Sequence, residues 1–177
     1  CSIFPDQATD ENGFVQSAID VGDARVITLD TLDDAPQIPE AGILCADRLA
    51  WFRNALDTDR PCLVFMHHPP FMTGFTGMDG IALQGAEHFC ALLNGGPVKH
   101  LFAGHVHRTI TATVAGISMT IFKGTCHQMP MLLGKDGFGH SVPEPGAYGI
   151  VTTKNGNVVV HFEDFTLPEY PVEQFDR

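Results

Sequence analysis

The chain is short of positive charge: its 177 residues hold ten Lys plus Arg against 21 Asp plus Glu, a formal charge of −11. A surface so acidic repels a polyphosphate backbone unless cations reverse the local sign, which excludes generic nucleic-acid binding. Cysteines number five (Cys1, Cys45, Cys62, Cys90, Cys126), widely spaced and with no CxxC pair. An odd count at such spacing argues against a disulfide framework and a cysteine-based zinc site, and fits a reducing compartment. No apolar run nears the roughly 20 residues that span a bilayer, and the first residues lack the basic and apolar regions of a secretory signal. A soluble, cytoplasmic protein without a membrane partner is the expectation. The chain also opens on Cys1 rather than Met, and Ser2-Ile3-Phe4-Pro5 reads as mid-chain sequence.

Apolar residues make up 44%, and 18 Gly and 12 Pro are spread through the chain instead of forming a low-complexity block. That composition and length predict one globular, loop-rich domain. Phe14 to Ile19 and Ala24 to Leu29 are β-prone runs around Asp20-Val21-Gly22-Asp23, a predicted hairpin. Residues 33–44, with Pro36, Pro39 and Gly42, read as a loop. Between Ala46 and Leu56, apolar Leu49, Phe52 and Leu56 recur at helical spacing with Arg48 and Arg53 between them, and Pro61 stops the helix. Cys62 to Met66 is a short apolar run of the kind that forms a strand covered on both faces. A loop rich in Pro, Gly and Phe follows to Gly80, a helix is predicted over Gln84 to Leu93, and a second buried strand over Lys99 to Ala103. Alternating strands and helices argue for an α/β core. The remainder reads as strands at Thr109 to Val114, Ser118 to Phe122, Tyr148 to Thr153 and Val158 to Glu163, the last pair joined by Asn155-Gly156. After Phe165 an extended tail is expected, with Pro168 and Pro171.

Two histidine clusters stand where a buried strand gives way to a loop, the place where ligands collect in α/β sheets. One is Met66-His67-His68-Pro69-Pro70, whose prolines stiffen the backbone behind the imidazoles; the other is Gly104-His105-Val106-His107, where the glycine frees the turn. Imidazoles brought together there suit a first-row divalent metal. His88, His100, His140 and His161 lie in a helix, two strands and a loop, and read as surface or satisfied core histidines.

Val64 to Phe71, then Gly104-His105-Val106-His107, then Gly124-Thr125-Cys126-His127-Gln128-Met129-Pro130 resemble the later motifs of calcineurin-like metallophosphoesterases. The similarity points to the class III cyclic-nucleotide phosphodiesterase and glycerophosphodiesterase branch and covers Phe14 to about Phe165. The resemblance implies an α/β fold, the C-terminal half of a four-layer αββα sandwich with mixed sheets, over residues 1–165 with a tail at 166–177. It implies that His67 and His105 ligate one metal and His107 another. His127 would line the pocket beside the phosphate in a catalytic role, and His68 would pack behind the ligands. Two divalent ions (Fe, Mn, Zn or Co) and a small phosphodiester substrate follow from the same resemblance.

The family's Asp-x-His, Gly-Asp and Gly-Asn-His-Asp/Glu motifs would precede these, and their bridging carboxylates have no counterpart here; Gly22-Asp23 falls in the predicted hairpin turn. The expectation is a C-terminal portion that is inactive alone. Strand faces such as Leu63-Val64-Phe65 and Leu101-Phe102 would then need cover from an N-terminal half or from a second copy of the chain. Two other readings remain open: a hydrolase with one ion on His67, His105 and His107, and a ligand-binding module that keeps the fold without catalysis.

Overall fold

The computed structural model describes residues 9–33, 37–134 and 140–165, so the expected tail at 166–177 lies outside the described residues. Strands β1 (Ser17–Val21) and β2 (Ala24–Thr28) form the expected hairpin, with Gly22 at φ 59° in its turn. The first strand starts later than its β-prone residues suggest. Phe14 and Gln16 are held instead by the Asp10 carboxylate, which accepts from the Phe14 amide at 2.8 Å and from Gln16 Nε2 at 2.7 Å.

The segment read as a loop at 33–44 contains a two-residue strand, β3 (Gly42–Ile43), followed by helix α1 (Ala46–Ala55) and strand β4 (Cys62–Phe65). A second correction falls in the loop before Gly80. It holds one helical turn, α2 (Thr76–Asp79), secured where the Asp79 carboxylate accepts from the Thr73 amide, the Thr73 hydroxyl and the Gly74 amide. The predicted helix from Gln84 is split. Leu83–Gln84 is strand β5, parallel to β3, and Gly85 at φ 65° separates it from helix α3 (Ala86–Leu93). Strands β6 (Val98–Ala103), β7 (Ile110–Val114), β8 (Ile117–Ile121), β9 (Ala147–Lys154) and β10 (Asn157–Asp164) complete the described elements.

The main sheet runs β1-β2-β4-β6-β8-β7, with β2, β4, β6 and β8 parallel and the two edges antiparallel. The two-residue period of a strand divides its side chains between two faces. Ile27, Val64, Leu101, Met119 and Ile121 join Phe52 and Phe89 of the helices in one buried core. On the other face Phe102 stacks between Phe65 at 4.6 Å and His100 at 4.4 Å, and Phe122 lies beyond it at 5.7 Å. The hairpin β9–β10 crosses this second face. Phe162 meets the Phe122 ring at 5.4 Å, and Gly149 lies so close to that ring that a Cβ would collide with it. A helical layer, a mixed sheet and a β-hairpin layer thus make an α/β fold.

Of the strand-face residues expected to need cover, Leu63, Val64, Leu101 and Phe102 are buried within this chain, and Phe65 is half-buried beside an open cavity that Phe102 and Phe122 also line. The helices pack on Val64 and Leu101. Exposed apolar side chains lie instead at the margins, at Ile19 and Val21 of β1 and at Tyr148, Ile150 and Val159 of the hairpin. Among the described residues no helix is long and apolar enough to cross a membrane.

Candidate metal centre

Parallel strands β4 and β6 deliver the histidines to one end of the sheet. Their loops are laced together: the Met66 amide donates to the Phe102 carbonyl at 3.0 Å, and the Gly104 amide to the His67 carbonyl at 3.0 Å. Beyond Gly104 the chain turns within three residues, the Val106 amide reaching the Gly104 carbonyl at 2.7 Å. This turn puts His105 at φ 69°, and His107 follows at φ 54°; both are in the left-handed region that side chains other than glycine seldom enter.

His67 Nε2 lies 3.3 Å from His105 Nδ1. His68 packs against both rings, with centroids at 4.8 Å and 4.6 Å, but its nitrogens are taken. Its Nε2 is 3.0 Å from the Glu40 carbonyl, an obligate acceptor, so Nε2 carries the proton and Nδ1 accepts from the Thr31 hydroxyl at 2.8 Å. Gly42 makes room for this ring, since a Cβ there would overlap it. By the same reasoning His107 Nδ1 donates to the His127 carbonyl at 3.0 Å, which leaves Nε2 with its lone pair. His107 and His127 rings stand 4.6 Å apart, and Cys126 Sγ lies 3.2 Å from His127 Nδ1.

Two groups of metal-capable donors result, His67 with His68 and His105, and His107 with Cys126 and His127; neither includes a carboxylate. All four of His67, His105, His107 and His127 line one cavity of about 690 Å³, together with Asp33, Glu40 and His140. His67, His105, His107 and Cys126 also line a second cavity of about 510 Å³, walled by Phe65, Phe102 and Phe122. Sequence reasoning singled out His67, His105, His107 and His127, and the structure brings all four to these cavities. It gave no role to Cys126, Thr31, Glu40 or Gln128. The last is fully buried and clamps the loop before it, accepting from the Gly124 amide at 2.9 Å and donating to the Gly124 carbonyl at 2.8 Å.

Electrostatics favour neutral imidazoles. Displaced water pushes His67 down to about 4, with the neighbouring His68 and His107 adding to the shift, even though the ring reaches the cavity. Burial first, then His68, His67 and His107, push His105 down to about 3, offset slightly by the Ile81 backbone. Burial also lowers His68, His107 and, on the far face of the sheet, His100, which pairs with the Thr120 hydroxyl at 2.8 Å. Neutral imidazole is the form that ligates a metal. His105 Nε2 is buried and makes no hydrogen bond of good geometry, with only a weaker approach to the Ile81 backbone, so its lone pair can serve a cation. The residues therefore fit a divalent cation on the histidine side, while the described donor groups offer nothing to bridge two ions.

Strand-end histidines around an open cavity on a mixed sheet define a candidate site for divalent metal. No family model matches the chain. It is 37% identical over 162 residues to a "Probable cyclic nucleotide phosphodiesterase" of Rhodopseudomonas palustris, covering 89% of this chain and 59% of that protein. To a "Probable glycerophosphodiester phosphodiesterase" of Arcobacter nitrofigilis it is 33% identical over 140 residues, covering 77% and 50%. Among solved structures, a dimetal phosphatase from Danio rerio shares the fold with a TM-score of 0.51 and 14% identity, over 64% of this chain and 50% of that one. These relatives and this fold are consistent with the calcineurin-like metallophosphoesterase superfamily, as a part-length match. The chain spans between half and three fifths of the length of these curated relatives.

Proposed function

We propose that these residues are the histidine-bearing, C-terminal portion of a metal-dependent phosphodiesterase domain acting on cyclic nucleotides or glycerophosphodiesters. His67 and His105 would hold one divalent ion and His107 a second. The observation that carries this reading is the convergence of His67, His105 and His107 on one 690 Å³ cavity, with His67 Nε2 3.3 Å from His105 Nδ1. Bound divalent ions neutralise phosphate oxygens and make water nucleophilic near neutral pH. The chain's own residues do the rest. His68, locked by Thr31 and Glu40, fixes the wall behind His67 and His105. His127, exposed beside His107 on the cavity wall, would carry the proton to a leaving oxygen. The names of the relatives support the reaction class, and the acidic chain as a whole makes cations necessary for an anionic substrate.

With no carboxylate in either donor group, the chain alone is expected to be inactive, and a further part of the protein or a second copy to cover the exposed apolar margins. Elemental analysis after loading with Mn²⁺ or Zn²⁺, alongside hydrolysis of cyclic AMP and an aryl phosphodiester, tests the proposal. The expected result is bound metal that the double variant His67→Ala/His105→Ala reduces, with negligible turnover by the chain itself. Unchanged metal content in that variant overturns the assignment. Rapid turnover by the chain alone would instead favour a centre with a single ion.

A further inference from the structure

The loop after β8 carries a second donor set that the phosphodiesterase reading does not use as such. His107, Cys126 and His127 each offer a ligand atom, and these atoms all lie within 4.8 Å of one another. They sit on the wall between the two cavities: His127 lines one, Cys126 the other, and His107 both. The loop is built to hold them there. Buried Gln128 closes it onto Gly124 through two hydrogen bonds, and the Gln128 backbone pairs with Val142. Gly124 has no space for a side chain, because a Cβ would stand 2.8 Å from the His127 carbonyl and 2.9 Å from His107 Nδ1. Cys126 and His127 are thereby turned outward with the sulfur against an imidazole nitrogen at 3.2 Å.

We propose that His107, Cys126 and His127 form a binding site for one thiophilic divalent ion, Zn²⁺ or Co²⁺. Sulfur with two imidazoles selects borderline-soft cations over Mg²⁺ and Mn²⁺, which prefer oxygen. Binding converts the Cys126 thiol to a metal-bound thiolate and releases its proton to solvent, with no change in oxidation state. An ion here uses the His127 nitrogen that the proton-carrying role above needs free, so the two states of the loop exclude each other. This inference goes beyond the phosphodiesterase reading: it shares His107 with the second ion proposed above but does not depend on that ion or on metal at His67 and His105.

The test is a Co²⁺ titration of the chain followed by near-ultraviolet absorption. A thiolate-to-cobalt charge-transfer band that saturates within two equivalents, one for this site and one for His67 with His105, is expected, retained in Cys45→Ser and Cys90→Ser and abolished in Cys126→Ser. His127→Ala should weaken Co²⁺ binding about tenfold or more, the loss typical when a metal site is stripped of a supporting group. Zinc should also protect Cys126 from alkylation, read by peptide mass. Absence of the band in the wild-type chain, or its survival in Cys126→Ser, overturns the proposal. The band requires no turnover. Failure of His67 and His105 to hold metal leaves it intact, and its own failure leaves their assignment standing.

Discussion

At the residue scale, imidazoles forced to stay neutral make the metal-free chain sensitive to acid. An unfolded histidine takes up a proton near 6.5, whereas folded His67 waits until about 4 and His105 until about 3. Between those values the unfolded chain binds more protons, so stability is complete above pH 6.5 and falls as the pH drops through that window. Melting of the metal-free chain should shift to lower temperature from pH 7.5 to pH 5, mainly through buried His105 because solvent screens exposed His67, and a flat profile would contradict the burial of His105. Saturating Zn²⁺ should oppose the shift by stabilising the neutral rings. A second expectation concerns His68. Thr31→Val strands its Nδ1 without a donor and should cost about 1–3 kcal/mol in urea unfolding, with Thr31→Ser largely restoring it. The histidines that converge on the cavities were legible because strand-end position and residue type announce them. Their supports were not, since Thr31 and Glu40 reach His68 from 37 and 28 positions away and neither has a local pattern.

At the scale of elements, long apolar runs were legible and short or polar-anchored pieces were not. Strands β2, β4 and β6 lie where β-prone or buried-type residues continue for several positions. The two-residue pair β3 and β5 is too short to show a period, and α2 is held by one carboxylate rather than by an apolar stripe. Helix α1 keeps its apolar pattern and adds a residue the pattern did not show. Leu49, Phe52 and Leu56 all pack on the core, and Arg48 is buried alongside Phe52 and Ala55. Arg48 donates to the Ile43 carbonyl at 3.0 Å and lies over the Phe14 ring at 4.1 Å, tying the helix to two preceding segments. Arg48→Ala should therefore cost about 2 kcal/mol or more, and Arg48→Met distinctly less, because the apolar stem and its packing survive. Equal losses in denaturant midpoint would mean the charged head dominates.

At the scale of the molecule, the join between the main sheet and the β9–β10 hairpin rests on few contacts. Gly149 over Phe122 is the tightest of them, and the Thr153 hydroxyl reaches Asp23 at 3.3 Å near the opposite edge. Gly149→Ala should lift the hairpin from Phe122, read as faster amide exchange across residues 147–164 with little change in β4 and β6. The exposed margin residues Ile19, Val21, Tyr148, Ile150 and Val159 make self-association of the chain the expected behaviour in light scattering. A stable monomer at high concentration would show that they need no cover.

The left-handed turn at His105 has a consequence for how such a chain responds to selection. Its backbone angle costs stability that a bound ion would offset. A library screened for heat resistance alone should thus enrich Asn or Gly at position 105 and lose metal at the same step. Screened with zinc present, the same library should keep histidine.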